Sequence, residues 1–132
     1  MIKKYLISIC MIGIALVAND NFDKATEQFN KKDYKNAYLN FNKACEEGIK
    51  KACTMNAIML FNGSGIAKDN AKAEQIFEKM CNENEAMACE KLGEMYAYGL
   101  TKDKQKDEEK TKALFKKSCD GGYKPACELV KE

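Results

Sequence analysis

Cys81-Asn-Glu-Asn-Glu-Ala-Met-Ala-Cys89 places two cysteines eight positions apart, with alanine immediately before the second. The same frame occurs at residues 45–53 and again at residues 119–127. The first cysteines of successive frames lie 36 and 38 residues apart, which is the length of a helical-hairpin repeat. The chain is therefore periodic, and the frames mark corresponding points of successive repeats.

Each frame predicts a disulfide across a turn. On an unbroken helix, residues eight positions apart would have Cα atoms about 12 Å apart. A disulfide needs them within about 7 Å, so the chain must reverse inside the frame. Residues that readily end a helix in the left-handed conformation stand there: Gly48, Asn82 or Asn84, and the Gly121-Gly122 pair. The predicted bridges are Cys45–Cys53, Cys81–Cys89 and Cys119–Cys127.

The N-terminus has the pattern of a secretory signal. Two lysines precede a 14-residue apolar run, residues 5–18, which is short for a membrane span of about 20 residues. We predict that residues 1–18 are a signal peptide cleaved after Ala18. Residues 19–132 would then be a periplasmic or secreted domain with no stable membrane anchor. An uncleaved anchor is the alternative.

Cleavage would also account for the odd number of cysteines. Seven cysteines are present, and Cys10 would leave with the signal, so that six remain as three matched pairs. Export to an oxidising compartment favours disulfides over the alternatives, which are buried free thiols or metal ligands. The chain has no histidine, and an eight-residue step is not the usual spacing of metal ligands. No metal and no cofactor are expected.

The charge pattern argues against a nucleic-acid partner. The chain has 22 basic and 20 acidic residues, and loss of Lys3 and Lys4 with the signal would leave equal numbers. Every basic residue is lysine, so the planar guanidinium that suits phosphate and base recognition is missing. The lysine-rich stretches are interspersed with acids and are typical of solvated helix ends and loops.

Apolar residues recur at spacings of three and four along the exported part and predict helices throughout. We predict an all-α fold, a right-handed α/α solenoid of about three helix hairpins stapled by disulfides. The predicted units are residues 19–47, 52–84 and 88–122, followed by a C-terminal stub at 125–132. Three aspartates align as predicted N-caps of the second helices, and three phenylalanines align as core residues: Asp33, Asp69, Asp107, Phe41, Phe77 and Phe115. The loop Gly99–Lys106 is predicted to be the most mobile segment.

Two groups of residues carry a family resemblance. Gly63-Ser-Gly65-Ile66-Ala-Lys-Asp69-Asn-Ala-Lys72-Ala73 resembles the loop and helix start of the Sel-one-like repeat family, which is related to tetratricopeptide repeats. Five residues of the third unit match the first helix of that family: Ala88, Leu92, Gly93, Tyr96 and Gly99. The paired cysteines behind a signal peptide resemble the Helicobacter cysteine-rich protein subfamily. Departures are Asn56 at the position of Leu92 and Thr101 at the position of the second loop glycine.

The resemblance implies a second function that the residues do not support by themselves. Members of the cysteine-rich subfamily are described as penicillin-binding or weakly β-lactam-hydrolysing. A chain without histidine has no Ser-His-Asp triad and no Cys-His pair, and no Ser-x-x-Lys sequence is present either. No catalytic motif is therefore found. A β-lactamase-type hydrolase remains the alternative to a binding function, and whether the protein is an enzyme stays open.

The first helices of a solenoid line the surface that binds partners. Four apolar residues of these helices fall outside the positions that match the packed face of the family: Met55, Ile58, Met59 and Met95. Exposed methionines provide an adaptable apolar contact. We predict that the protein is an exported interaction module and that these four residues contact a protein, a peptide or a peptidoglycan-like cell-wall fragment.

Overall fold

The computed structural model describes residues 20–131, and every regular element in that range is an α-helix. The predicted signal peptide lies outside the described residues. No helix of the range combines the length and apolar composition needed to cross a bilayer. Seven helices follow one another: α1 (residues 20–30), α2 (Tyr34–Glu46), α3 (Lys50–Asn62), α4 (Asn70–Asn82), α5 (Ala86–Tyr98), α6 (Glu108–Asp120) and α7 (Lys124–Val130).

The helices pair into three hairpins and a final short helix, as the periodicity predicts. In each hairpin the odd-numbered helix is the first helix of a unit and the even-numbered helix is the second. Consecutive helices contact one another along the whole chain from α2 to α7, and α3 also contacts α5 directly. First helices α3 and α5 begin two residues earlier than predicted, at Lys50 and Ala86. The turns between units are accordingly tighter than expected.

These turns use one left-handed residue at the same position of every frame. Gly48, Asn84 and Gly122 have φ values of 95°, 67° and 94°. Each reverses the chain within three residues of a helix end, so the second helix of one unit runs directly into the first helix of the next. The cysteine Cα atoms approach to 4.7, 4.6 and 4.6 Å, and all three predicted bridges form: Cys45–Cys53, Cys81–Cys89 and Cys119–Cys127.

Two apolar clusters hold the stack together. One joins the first two units and contains Phe41 with small residues on the facing helices, such as Ala25 and Ala52. The other lies at the centre of the stack and contains Phe77, Leu92 and the Cys81–Cys89 bridge. Phe41 and Phe77 are completely buried, whereas Phe115 in the last hairpin is only half-buried. Packing is therefore dense inside the stack and looser after α6.

All three aspartates stand at the predicted N-cap positions, and two of them cap with their side chains. Asp69 and Asp107 each accept a hydrogen bond at 3.0 Å from the backbone N–H three residues on, at the start of α4 and α6. Asp33 makes no such bond to the backbone of α2, and its carboxylate accepts from the Asn36 side-chain amide at 2.8 Å instead. Asp33 therefore stands at the predicted N-cap position but does not cap with its side chain, because its carboxylate binds the Asn36 amide.

The loops between paired helices lie against the start of the preceding second helix. In the loop after α3, a Cβ at Gly65 would lie 2.5 Å from the Tyr34 carbonyl carbon. In the loop after α5, Thr101 is buried, and the Lys102 N–H donates to the Glu74 carboxylate at 2.7 Å. Leu100 and residues 102–106 of the segment predicted to be mobile are exposed, and the segment is anchored at Thr101 and at the Lys102 N–H.

Candidate interaction surface

Two of the four predicted contact residues belong to the core. Met59 and Met95 are completely buried, each in the apolar cluster that its helix shares with the preceding unit. Each lies seven residues after a buried alanine, Ala52 or Ala88, and therefore two helical turns along the same face. The prediction that Met59 and Met95 contact a ligand is wrong, because a first helix inside the stack is packed on two sides. Such packing leaves only a narrow stripe exposed.

The other two predicted residues lie on that stripe. Met55 and Ile58 are half-buried, and each packs one edge against the core. The repeat places Lys91 at the position of Met55 and Glu94 at the position of Ile58 on the neighbouring helix α5. One turn beyond Glu94, Tyr98 is 65% exposed. We call these five residues, Met55, Ile58, Lys91, Glu94 and Tyr98, the first-helix face.

The α5 half of this face is charged and internally paired. The Lys91 ammonium lies 2.8 Å from a Glu94 carboxylate oxygen and 3.3 Å from one of Glu90. Burial raises the pKa of the Glu90 carboxyl, and attraction to Lys91 offsets only part of that rise. Burial acts to lower the pKa of Lys91, but its bond to Glu94 and the two negative charges outweigh burial, and the pKa is raised. The first-helix face thus combines the apolar residues Met55 and Ile58 on α3 with the ion pair of Lys91 and Glu94 and the exposed ring of Tyr98 on α5.

Polar contacts fix the spacing of the two helices that carry the face. The Thr54 hydroxyl on α3 donates to the Glu85 carboxylate at 2.6 Å, and the same oxygen accepts from the Ala88 N–H at the start of α5. The Lys50 ammonium donates to the Glu83 carbonyl at 3.0 Å. The Thr54 contact joins α3 to the start of α5, and the Lys50 contact joins α3 to the turn that precedes α5, so Met55 and Lys91 stand on helices that are linked to each other.

A groove lies on the other side of the stack, between α2 and α4. Its volume is about 330 Å³, and α3 forms its floor with the first disulfide. Asn56 is buried there at the position that Leu92 occupies one unit later. In the amide orientation that satisfies both its polar atoms, Asn56 donates to the Tyr38 carbonyl at 3.2 Å and accepts from the Asn42 backbone N–H at 3.1 Å. Because the Asn56 amide bonds to the backbone of α2, asparagine at this position, where the next unit has Leu92, serves helix packing.

The two serines of the described range, Ser64 and Ser118, lie in different surroundings. Ser118 is completely buried, and its hydroxyl donates to the Ala86 carbonyl at 2.6 Å. Ser64 is half-buried in the loop after α3. Among residues 20–131, no three His, Cys, Asp or Glu side chains come together as a metal-binding group would require. Penicillin binding or weak β-lactam hydrolysis remains the untested alternative that the family resemblance implies.

Sequence reasoning missed Lys91, Glu94 and Tyr98 because it looked for apolar residues only. The signal was nevertheless present in the repeat, since aligning the first helices on their cysteines places Lys91 and Glu94 beside Met55 and Ile58. The exposed surface of the final helix α7, which includes Leu129 and Val130, was missed for another reason. Its exposure depends on which helices cover it, and a sequence does not state that.

Stacked helix hairpins joined by disulfides define the chain as an α/α repeat solenoid. The profile of the Sel1 repeat matches residues 31–49, 50–85 and 86–123, in register with the three stapled units. The chain therefore belongs to the Sel1 repeat family. No curated protein is similar to it in sequence at a significant level.

Solved structures show the same fold. A Sel1 repeat protein from Oxalobacter formigenes superposes with a TM-score of 0.72 at 23% identity, over 89% of this chain and 47% of that one. A protective antigen of uropathogenic Escherichia coli strains, described as displaying an SLR fold, gives 0.70 at 21% identity, over 86% and 25%. Helicobacter pylori cysteine-rich protein B gives 0.65 at 25% identity, over 98% and 97%. The chain thus spans half or less of the first two proteins and nearly all of the third.

Proposed function

We propose that the protein is an extracytoplasmic interaction module whose first-helix face binds an extended segment of a partner protein. Sel1 repeat proteins generally mediate protein–protein interactions. The three disulfides and the similarity to the Helicobacter cysteine-rich protein support an oxidising location outside the cytoplasm. Under this proposal, the predicted signal peptide, residues 1–18, directs the export of the protein.

The observation that carries the proposal is the composition of the first-helix face. Met55 and Ile58 expose apolar surface on α3, and the exposed ring of Tyr98 lies at the end of α5. Tyrosine and methionine are enriched in protein interfaces, and burial of an aromatic ring supplies much of the binding energy in such sites. The ion pair of Lys91 and Glu94 offers charged groups to the polar atoms of a bound backbone. A peptide laid across α3 and α5 would meet both halves.

Photo-crosslinking tests this proposal where a simple capture experiment would not locate the contact. A photoreactive amino acid at Tyr98 should crosslink a partner from the extracytoplasmic fraction, and the same residue at Lys117, on second helix α6, should not. Changing Met55 and Ile58 to lysine should abolish the crosslink. The matched control is Leu39→Lys, which places the same charge on an exposed leucine of second helix α2. Thermal unfolding must show that each variant is folded.

Three results would count against the proposal. Equal crosslinking from Lys117 would move the contact to the second helices. A crosslink that survives Met55→Lys with Ile58→Lys would remove the apolar half of the face from the site. Crosslinking to glycan strands with no protein product would favour the cell-wall fragment as the ligand.

A further inference from the structure

The groove between second helices α2 and α4 has a largely apolar floor and a basic rim. On the floor, half-buried and buried side chains surround the Cys45–Cys53 bridge: Tyr38, Ile76 and Met80. The rim consists of exposed polar residues: Asn42, Lys72, Gln75 and Lys79. We call the floor and rim together the second-helix groove. Its two charged residues are both lysines of α4, so the α4 wall is positive.

These lysines are not neutralised inside the groove. Within residues 20–131, no carboxylate lines the groove, and neither Lys72 nor Lys79 takes part in an ion pair. Glu46 adjoins the rim on α2, where the Asn42 amide donates to its carboxylate at 3.0 Å. The groove therefore carries two ammonium groups against one adjoining carboxylate, and it attracts an acidic ligand.

The repeat shows that this imbalance is not common to every pair of second helices. One unit later, α6 again has lysines at the positions of Lys72 and Lys79, namely Lys110 and Lys117. Helix α4, however, has glutamates at the positions where α2 has Tyr38 and Asn42, namely Glu74 and Glu78. The same two lysine positions are therefore accompanied by two acids in one pair of helices and by none in the other.

The spacing of the lysines indicates which acidic ligand fits. Lys72 and Lys79 lie seven residues apart on one helix, which separates their Cα atoms by about 10.5 Å. In an extended peptide, the first, third and fifth side chains share one face, and the first and fifth residues lie about 13 Å apart. Two acids at those positions lie within reach of the two flexible ammonium groups. The third side chain then points into the groove between them, where Ile76 lies.

We propose that the second-helix groove binds an extended segment of a partner protein with the pattern acid-x-apolar-x-acid. Lys72 and Lys79 pair with the two carboxylates, and the apolar side chain packs over Tyr38 and Ile76. The exposed Gln75 amide, which stands between the lysines, offers a donor and an acceptor to the backbone of the segment. This site shares no residue with the first-helix face, and it extends the proposed function with a second contact.

The probe for this site is the peptide Gly-Asp-Ser-Leu-Ser-Asp-Gly, with blocked termini and an uncharged dye. Three control peptides change one property each. One replaces both aspartates with asparagine, and one replaces the leucine with serine. The third, Gly-Asp-Asp-Ser-Ser-Leu-Gly, keeps the composition and the charge but loses the spacing. Fluorescence anisotropy measures binding to the oxidised protein at low ionic strength, where screening of exposed charges is weak.

The probe should bind wild type, and each control peptide should bind at least about fivefold more weakly. Lys72→Glu with Lys79→Glu should abolish binding of the probe and create binding of the peptide in which both aspartates are lysine. The matched control is Lys110→Glu with Lys117→Glu, which makes the same change at the same repeat positions and should leave binding unaltered. Thermal unfolding checks that both double variants are folded.

Nuclear magnetic resonance locates the contact, because the side-chain amide signals of Asn42 and Gln75 should shift when the probe is added. Met55→Lys with Ile58→Lys should leave probe binding unaltered, so that this site and the first-helix face can fail independently.

The proposal is overturned if the probe does not bind wild type, if the scrambled peptide binds equally well, or if the Lys110 and Lys117 variant loses as much binding as the Lys72 and Lys79 variant. It is also overturned if decanoate shifts the two amide signals and the probe does not, because the ligand would then be an anionic amphiphile. A wild-type dimer that Lys72→Glu with Lys79→Glu dissociates in sedimentation would overturn it as well, since the occupant would be a second copy of the chain.

Discussion

Gly65 holds the loop after α3 against the start of α2. Its φ is +74°, and a Cβ there would lie 2.5 Å from the Tyr34 carbonyl carbon and 2.7 Å from the Lys35 nitrogen. Backbone atoms cannot move aside as the end of a flexible side chain can. A single absent methyl group therefore permits the contact between the first two hairpins at this point.

Gly65→Ala should lower the free energy of unfolding of the oxidised protein by roughly 2–4 kcal/mol, from backbone strain together with the clash. Gly48→Ala is the matched control, because Gly48 also has positive φ, at +95°, but a Cβ there meets nothing within 4 Å. It should cost only the strain, about 1 kcal/mol. Urea unfolding of both variants measures the difference, and equal losses would show that the clash is relieved at no cost.

Glu90 is a buried carboxylate whose pKa is raised by that burial, despite the nearby Lys91. A raised pKa in the folded state means that the cost of burial is absent below the ordinary glutamate pKa of about 4.3, where the group is protonated in both states. The cost develops as the pH rises through the folded-state pKa. Glu90 therefore opposes folding at neutral pH, although Lys91 pairs with it.

Glu90→Gln should raise the urea midpoint at pH 7, and the two proteins should unfold at the same midpoint near about pH 3. Glu78→Gln, at an exposed position of α4, is the control and should leave the midpoint unchanged at both values. A lower midpoint for Glu90→Gln at pH 7 would mean that the pairing with Lys91 outweighs the burial, contrary to the direction of the pKa shift.

At the scale of the helices, the three disulfides close loops of the same length in different surroundings. All join residues eight positions apart, and each links the second helix of one unit to the first helix of the next. Cys81 and Cys89 are 2% and 1% exposed in the central cluster. Cys119 and Cys127, which join α6 to the final helix α7, are half-buried. Any difference in the free energy that the bridges contribute to folding therefore comes from packing around the cysteines and not from loop entropy.

Replacing both cysteines of either bridge with alanine should cost about 2.6 kcal/mol from loop entropy, by the chain-entropy relation for a nine-residue loop. The Cys81 and Cys89 pair should cost a further 1–2 kcal/mol or so, because burial of two sulfur atoms is also lost. Calorimetric or urea unfolding of the two double variants measures this. An equal decrease in unfolding free energy for both pairs would show that burial of Cys81 and Cys89 adds no stability. Mild reductant should open Cys119–Cys127 before Cys81–Cys89.

Over the whole molecule, each unit contacts only its neighbours, so local stability should follow position in the stack. The central helices α3, α4 and α5 each contact at least two other helices, whereas α7 is short and contacts chiefly α6. An even distribution of stability is not expected for a stack of this form.

Native-state hydrogen exchange should show strong protection around Phe77 and Leu92, and weak protection throughout α7. Within the loop after α5, the Lys102 amide should exchange slowly because the Glu74 carboxylate accepts its N–H, while the exposed residues Asp103, Gln105 and Lys106 should exchange fast. Glu74→Ala should remove the difference between Lys102 and its neighbours. Uniform protection from α3 to α7 would indicate a single cooperative unit.

The sequence alone determined the helical repeat, the three bridges and the family. An eight-residue cysteine spacing with a left-handed residue at a constant position constrains the chain locally. Such local constraints can be predicted from the sequence without knowledge of the tertiary contacts. The first-helix positions of Met55 and Ile58 were also predictable in this way. The burial of Met59 and Met95, the pairing of Asp33 with Asn36, and the exposure of Val130 were decided only by the tertiary structure. Each depends on a neighbouring helix or side chain, because a stripe that looks free on one helix is exposed only when no adjacent unit covers it.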